Sequence, residues 1–447
     1  MAKTPIEDMK LTGRHIGILA VCSMEQMIGA AQSALVGIIL PMLLIVTHNG
    51  ISSELQGVTG AIGLIGIAIG SAVIGRISDV KGYALLFRLC PLLIMAGSLL
   101  AFFCHDIYFL IAGLFISGIG IGGGYSLDSS YISELMPRKW SLMMVGVAKA
   151  TSALGFIGIS LCCWLIISAT MNPDIWKWLL LLITALGLCT LLFRLHYPDS
   201  PRWLMGKGKV AEAQKAGQWF YGPDAEVIPE TVAPSKKKAS WGSLFKGRNI
   251  LKVIFSGIPW ACEGVGVYGI GIFLPALIMA LGIDKTQTTG MAKILNSVEY
   301  TTIVNCFILP GFVIGLLIMR KVYHVAMLTW GFVLYSIGVG IVMAAYVGSW
   351  PIWVSILGFL IFQVSLNGGP HLITFIIPSQ IYSVDERGAG TGIAAMIGKI
   401  GAICGVFFMP VLLRDTGIKG VLIFCIAIGL AGAIISAVFG RLVLKDK

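Results

Sequence analysis

Apolar residues in this chain come in long runs, without the short alternation that strands require. Twelve such runs follow one another, at roughly Ile16–Val46, Gly57–Ile77, Ala84–Cys104, Ile107–Leu135, Ser141–Ile167, Trp176–Phe193, Val253–Leu281, Ile294–Ile318, Val322–Val347, Ile352–Tyr382, Gly388–Leu412 and Gly420–Val443. Each is close to or above the roughly 20 residues a helix needs to cross a bilayer core, whereas barrel strands would alternate over short segments. The pattern predicts an all-α polytopic membrane protein with twelve transmembrane helices. The long interruption runs from Arg194 to Lys252 and holds SPRWL at Ser200–Leu204, a Lys209–Tyr221 segment readable as a surface helix, and the lysine run Lys236–Lys238. It divides the chain into two six-helix bundles, residues 1–193 and 253–447, joined by a basic linker with short surface helices over 194–252.

Composition agrees, with 57% hydrophobic and 12% charged residues and a mean hydropathy of +0.90. A net charge of +11 would suit nucleic acid if it were clustered; here it is distributed by side. Lys3, Lys10, Arg14, Arg76, Lys81, Arg138, Lys139, the linker, Arg320, Lys321, Arg387 and the C-terminal tail fall on alternate connections, and the others carry few basic residues. That asymmetry is the positive-inside pattern, so both termini and the linker are expected in the cytoplasm, with the chain multi-pass in the plasma (inner) membrane and no nucleic acid as partner. A basic linker could touch anionic lipid, but a solvated, orientation-setting segment is the preferred reading. The N-terminus lacks a cleavable signal pattern. Ten cysteines stand singly or as the pair Cys162–Cys163, with no CxxC or Cys/His cluster, so no metal site or cofactor is expected.

Charge inside the runs singles out functional candidates. An ionisable group at mid-bilayer costs about 2.5–3.5 kcal/mol on insertion scales, so it usually faces water or a partner. The candidates are Glu25 in span one, Asp128 in four, Lys149 in five, Glu263 in seven, Glu299 in eight, His371 in ten and Lys399 in eleven. Spans three, six, nine and twelve carry charge only near their ends, as at Arg88, Arg194 and Arg441. This regularity predicts a polar pathway bounded by spans one, four, seven and ten, with five, eight and eleven adding to it. The competing explanation for any one residue is a structural ion pair or a head snorkelling to the interface. Spans four and seven are also rich in glycine, at Gly118–Gly124 and Gly264–Gly271, and span seven adds Pro275; such helices pack closely and bend.

Motifs then narrow the family. Gly75-Arg-Ile-Ser-Asp79-Val-Lys-Gly82, at the end of span two, resembles the loop motif of the major facilitator superfamily. Asp199-Ser-Pro-Arg202-Trp-Leu resembles the PESPRWL of sugar porters, and their ExxPxxxR gate motif has two partial copies. The first, Glu134-Leu-Met-Pro137-Arg138, keeps the acid and loses the distal arginine; the second, Gln380-Ile-Tyr-Ser383 to Arg387, keeps the arginine and loses the acid. The resemblance implies a gate latch made from Glu134 and Arg387, or simple helix capping at both places. A more detailed likeness is to phosphate:proton symporters: Gly369-Pro-His371-Leu-Ile-Thr374-Phe-Ile-Ile-Pro378, Gly398-Lys399-Ile-Gly-Ala, Gly122-Gly-Gly-Tyr125-Ser-Leu-Asp128, and Trp260 with Tyr268-Gly269. Gly124 and Gly264 stand where that family places two aspartates, His371 where it has an asparagine, and Leu114 near the place of an arginine in many relatives. Carboxylates reappear nearby at Asp128 and Glu263.

The resemblance implies a secondary transporter that alternates access between two bundles. With no Walker-type loop in the sequence, transport is expected to run on an ion or substrate gradient. Glu263, Asp128 and Glu25 are the proton-coupling candidates, since burial brings carboxyl proton exchange towards neutral pH. Tyr125, Trp260, Tyr268, His371, Lys399, Lys149 and Glu299 are the substrate-binding candidates. Gly75, Asp79, Gly82, Glu134, Arg138, Arg202, Gln380 and Arg387 form the gate or structural motifs. The expected partners are a small polar metabolite, with an organic anion such as a carboxylate ahead of inorganic phosphate and sugar, together with protons and membrane lipid. The expected state is a monomer. A passive facilitator is the main rival reading, ahead of a non-transporting nutrient sensor; no enzyme chemistry is expected.

Overall fold

The structure is a computed structural model that describes residues 4–5, 11–48, 50–103, 106–137, 139–223, 225–227, 244–281, 290–319, 321–382 and 384–444. Arg138, the lysines 236–238 and the side chains of Asp79 and Arg387 lie outside the described residues.

The described chain is nearly all helix, because long apolar segments with no water to bond must satisfy every peptide group internally. Spans one to four are the helices Gly13–Val46, Ser53–Lys81, Ala84–Phe102 and Ile107–Leu135, and span six is Trp176–Arg194. Spans nine and ten begin at His324–Val347 and Ile352–Gly368. The last helical run, Val384–Leu444, contains a non-helical Gly417 at φ 66°, which separates spans eleven and twelve. Eleven helical runs among the described residues are long and apolar enough to cross a bilayer, and the division at Gly417 makes them twelve spans.

Among the described residues four spans are interrupted, three of them beside candidate residues. Span five breaks between Ser141–Ala150 and Ser152–Thr170, just after Lys149. Span seven changes from α-helix Asn249–Gly264 to a π-helical stretch Val265–Ile270 and back to Gly271–Ala280, immediately after Glu263. Span eight divides at Phe307 between Gly290–Cys306 and Ile308–Ile318. Span ten divides at Gly369, and Pro370–Ile381 carries His371 in its first turn. Proline removes a hydrogen-bond donor and π turns re-aim side chains, so both mark places where a helix is opened for use.

Contacts group the chain into two compact units: residues 1–32, 65–155 and 177–234, and residues 33–64, 156–176 and 235–447. The far parts of spans one, two and five therefore belong with the second-half helices. Inside that second unit a Cβ on Gly57 would lie 2.2 Å from the Phe407 carbonyl oxygen, so spans two and eleven meet at backbone distance. Asn305 donates to Ser160 at 3.1 Å, and Arg414 bonds Glu54 at 2.6 Å.

In the first unit the linker is docked, not merely solvated. Pro201–Gly206 and Val210–Tyr221 are helices, the second as expected, and the strand Ala225–Glu226 (β2) pairs in parallel with Thr4–Pro5 (β1). Asp199 accepts from the backbone N–H groups of Tyr83 and Ala84 at 2.6 and 2.8 Å, capping span three with a negative charge. Gly82 makes room: its φ is +86°, and a Cβ there would lie 2.5 Å from the Asp199 carboxylate. Tyr131 donates to the Pro198 carbonyl at 2.6 Å. The motif that resembles the sugar-porter linker is thus a clamp on the start of span three. Asp199→Ala is expected to cost ~1–2 kcal/mol by stranding two charge-assisted N–H bonds, read as a lower unfolding midpoint and faster proteolysis near residue 207; an unaltered midpoint would contradict the clamp.

Candidate functional site

Each unit gathers its own set of ionisable groups. In the first, Arg194 from the end of span six reaches Glu25 on span one at 2.8 Å and Asp128 on span four at 2.6 Å. All three side chains are withdrawn from solvent. The guanidinium also donates to the Val21 carbonyl at 3.1 Å and lies over the Phe87 ring, 4.8 Å from its centroid. A planar fork is suited to bridging two carboxylates at once, which an ammonium on a flexible stem does poorly. Sequence reasoning placed Arg194 at a membrane boundary and missed this role. The available signal was the missing arginine of span four, which left Asp128 without a cation on its own helix.

Gly124 completes this arrangement. A Cβ at that position would fall 1.4 Å from Glu25 Oε2. The Glu25 carboxylate therefore occupies the space into which an aspartate on span four would project, so span one supplies the acid instead. Tyr125 and Lys149 lie in the same unit, with the Lys149 ammonium 5.6 Å from the Tyr125 ring centroid. Both are half-buried, and Gly29 on span one accommodates the Tyr125 hydroxyl, 2.0 Å from where a Cβ would stand.

In the second unit, Glu263 and His371 meet across the interrupted spans seven and ten, with Nδ1 to Oε1 at 3.0 Å and both side chains buried. The imidazole stacks edge-on against Phe312, centroids 5.2 Å apart. Lys399 on span eleven lies over Tyr268, 5.0 Å from its centroid, within electrostatic reach of Glu263. Trp260 packs against Phe375 at 6.1 Å and against Gly398, where a Cβ would come within 2.7 Å of the indole. Gly264 has no room for an acid, since its Cβ would lie 2.8 Å from the Gly398 carbonyl oxygen. Thus Glu263, His371, Lys399, Tyr268 and Trp260 form one neighbourhood of spans seven, ten and eleven.

Glu299 does not join them. It is exposed on the outer face of span eight, whereas Ser297, Thr301 and Asn305 occupy the buried face. A helix turns by 3.6 residues, so a charge two positions from a buried serine points elsewhere. The gate candidates are also placed. Glu134 accepts from the Tyr83 hydroxyl at 2.7 Å, and Gln380 faces His324 Nδ1 at 2.8 Å. Gly75 packs on Ser126, Gly82 accommodates Asp199, and Arg202 is half-buried in the linker helix. The expected partnership of Glu134 with Arg387 lies outside the described residues. Among the described residues no group of three or more His, Cys, Asp or Glu is disposed to hold a metal.

The chain is similar to known proteins along most of its length. The family described as "Sugar (and other) transporter" matches residues 19–443. The inner membrane metabolite transport protein YgcS of Escherichia coli (strain K12) is 26% identical, over 86% of this chain and 82% of its own. The repressible high-affinity phosphate permease of Neurospora crassa is 24% identical over 80% and 69%. Among solved structures, a partially occluded inward-open conformation of the xylose transporter XylE from E. coli superposes with a TM-score of 0.77 at 18% identity, covering 96% of this chain and 98% of that one. A match across almost the whole length places the chain in the sugar (and other) transporter family, with the twelve-span fold of the major facilitator superfamily.

Proposed function

We propose that this transporter carries a small organic anion together with a proton, by alternating access, with its termini and linker in the cytoplasm. The observation that carries the reading is the Glu263–His371 pair, joined at 3.0 Å beside Lys399 on interrupted helices. With His371 neutral, Glu263 and Lys399 balance. An entering carboxylate pairs with the ammonium and leaves one negative charge in excess, and a proton on His371 or Glu263 restores neutrality. A charge left uncompensated in a low-dielectric site is costly, so anion and proton enter most easily together. Tyr268 and Trp260 border the ammonium and offer a hydroxyl, an indole N–H and ring faces to the remainder of the substrate.

The first unit suits the same coupling. Two carboxylates face one guanidinium at Arg194, so that set is neutral only when Glu25 or Asp128 holds a proton. Tyr125 and Lys149 are the substrate-binding candidates on that side.

The inorganic phosphate reading draws on the span ten and eleven motifs and on the phosphate permease relative. Glycine at both 124 and 264, with His371 in the span-ten position, favours the organic anion instead. The test is uptake into liposomes with and without an inward proton gradient, over carboxylates, phosphate and sugars. Gradient-driven accumulation of a carboxylate is expected, and Glu263→Gln is expected to abolish it while exchange of substrate persists. Uptake by the wild-type protein that stops at equal concentrations and ignores the proton gradient would establish a passive facilitator, and unchanged pH-dependent uptake by the variant would remove Glu263 from coupling.

A further inference from the structure

Outside the sites above, the second unit holds a groove of about 790 Å³ where the end of span eight, the start of span nine, Gln380 and the end of span twelve come together. All these termini lie at the linker end of the helices. Lys321 and Arg441 stand on its rim, and no acidic side chain lines it among the described residues. Neither cation is paired with a carboxylate among the described residues. Its wall is set by His324, whose ring nitrogens meet Gln380 Oε1 at 2.8 Å and the Met319 carbonyl oxygen at 3.1 Å. At its floor spans nine and twelve converge, since a Cβ on Gly440 would lie 2.7 Å from Val325 Cγ1.

What leaves this groove towards the middle of the membrane is apolar. Span twelve presents Leu430, Ile434, Val438 and Leu442, four exposed side chains at a spacing of one helical turn. Span nine presents Trp330, Leu334 and Ile337, also exposed, with Trp330 both lining the groove and facing outward at 64% exposure. Tyr323 adds a second exposed ring at the rim. Indole and phenol rings at the end of a span mark headgroup depth. A pair of cations with no carboxylate partner among the described residues, above an apolar track, is complementary to an amphiphile with an anionic head, and basic pockets between helix ends take such heads.

We infer that this groove between spans eight, nine and twelve is a binding site for an anionic phospholipid of the leaflet at the linker end, its phosphate between Lys321 and Arg441 and an acyl chain along the span nine and twelve ladder. A free polyanion would satisfy the two cations and leave the track unused. The zwitterionic lipids of the bilayer would use the track and gain little from the cations.

The test is native mass spectrometry of the full chain released from nanodiscs made of equal parts phosphatidylcholine and phosphatidylglycerol. The wild-type protein is expected to retain phosphatidylglycerol selectively. Each basic residue near an anionic headgroup contributes about fivefold, so the double variant Lys321→Gln/Arg441→Gln is expected to lose selectivity roughly 25-fold. The charge-conserving variant Lys321→Arg/Arg441→Lys is expected to keep it, which separates loss of charge from loss of fold. Equal retention by the wild-type and the neutralised protein would overturn the site. So would full displacement of the lipid by millimolar inorganic phosphate, because the occupant would then be a free anion.

Discussion

Arg194→Met is expected to destabilise the first unit by ~3–5 kcal/mol, the usual consequence of removing one partner from a buried ionic set. Methionine fills much of the volume but leaves Glu25 and Asp128 facing one another, out of water and with no cation. The unfolding midpoint in detergent should fall sharply, and little folded protein should survive purification. Arg194→Lys is expected to recover part of the loss, because one ammonium cannot serve both carboxylates with the geometry of a fork. Adding Glu25→Gln to Arg194→Met should restore more stability than the effects of the separate changes predict, because the double variant removes a repelling charge. The interaction term of that cycle reports the coupling directly. An Arg194→Met protein with the wild-type midpoint would mean that the triad carries no stability and that its carboxyls are protonated throughout.

The second large effect concerns Gly124. Gly124→Asp is expected to abolish transport and cost ~3 kcal/mol or more, since overpacking alone costs ~1–3 kcal/mol and a third buried carboxylate adds to it. The clash is with an atom that has nowhere to go. Glu25 Oε2 would lie 1.4 Å from the new Cβ, and Arg194 holds that same oxygen at 2.8 Å. The informative experiment is the exchange of positions. Glu25→Gly combined with Gly124→Asp removes the obstruction and returns a carboxylate to the space beside Arg194, now from span four. Stability and proton-dependent uptake are expected to recover in the double variant above both single ones. Wild-type behaviour of Gly124→Asp alone would show that Glu25 swings aside freely. Failure of the double variant to improve on either parent would show that the acid must come from span one.

These two variants test how the chain keeps its charge balance without the arginine and aspartate that the resemblance to phosphate:proton symporters implies. Neither the arginine of span four nor the aspartate at residue 124 is present, yet a guanidinium and a carboxylate occupy the corresponding part of the first unit. One comes from span six and the other from span one. The second unit shows a related shift by one residue, with glycine at 264 packed on span eleven and the acid carried at Glu263.

The order of the twelve spans was legible in the sequence, because hydropathy is a property of a segment by itself. So was the family, from motifs at the ends of spans two and four and along ten and eleven. Rotation of each helix about its axis was not legible. Lipid tails and protein interior are equally apolar, so a transmembrane helix need not advertise which side is buried; Glu299 faces outward while Thr301, two residues on, faces in. Partnership was equally hidden, since the Arg194–Asp128 and Glu263–His371 pairs join residues far apart in the chain. The sequence by itself decided that these charges lie in the membrane-spanning half-bundles and must be compensated; only tertiary packing, which brings helices to backbone distance at glycine, decided which charge compensates which.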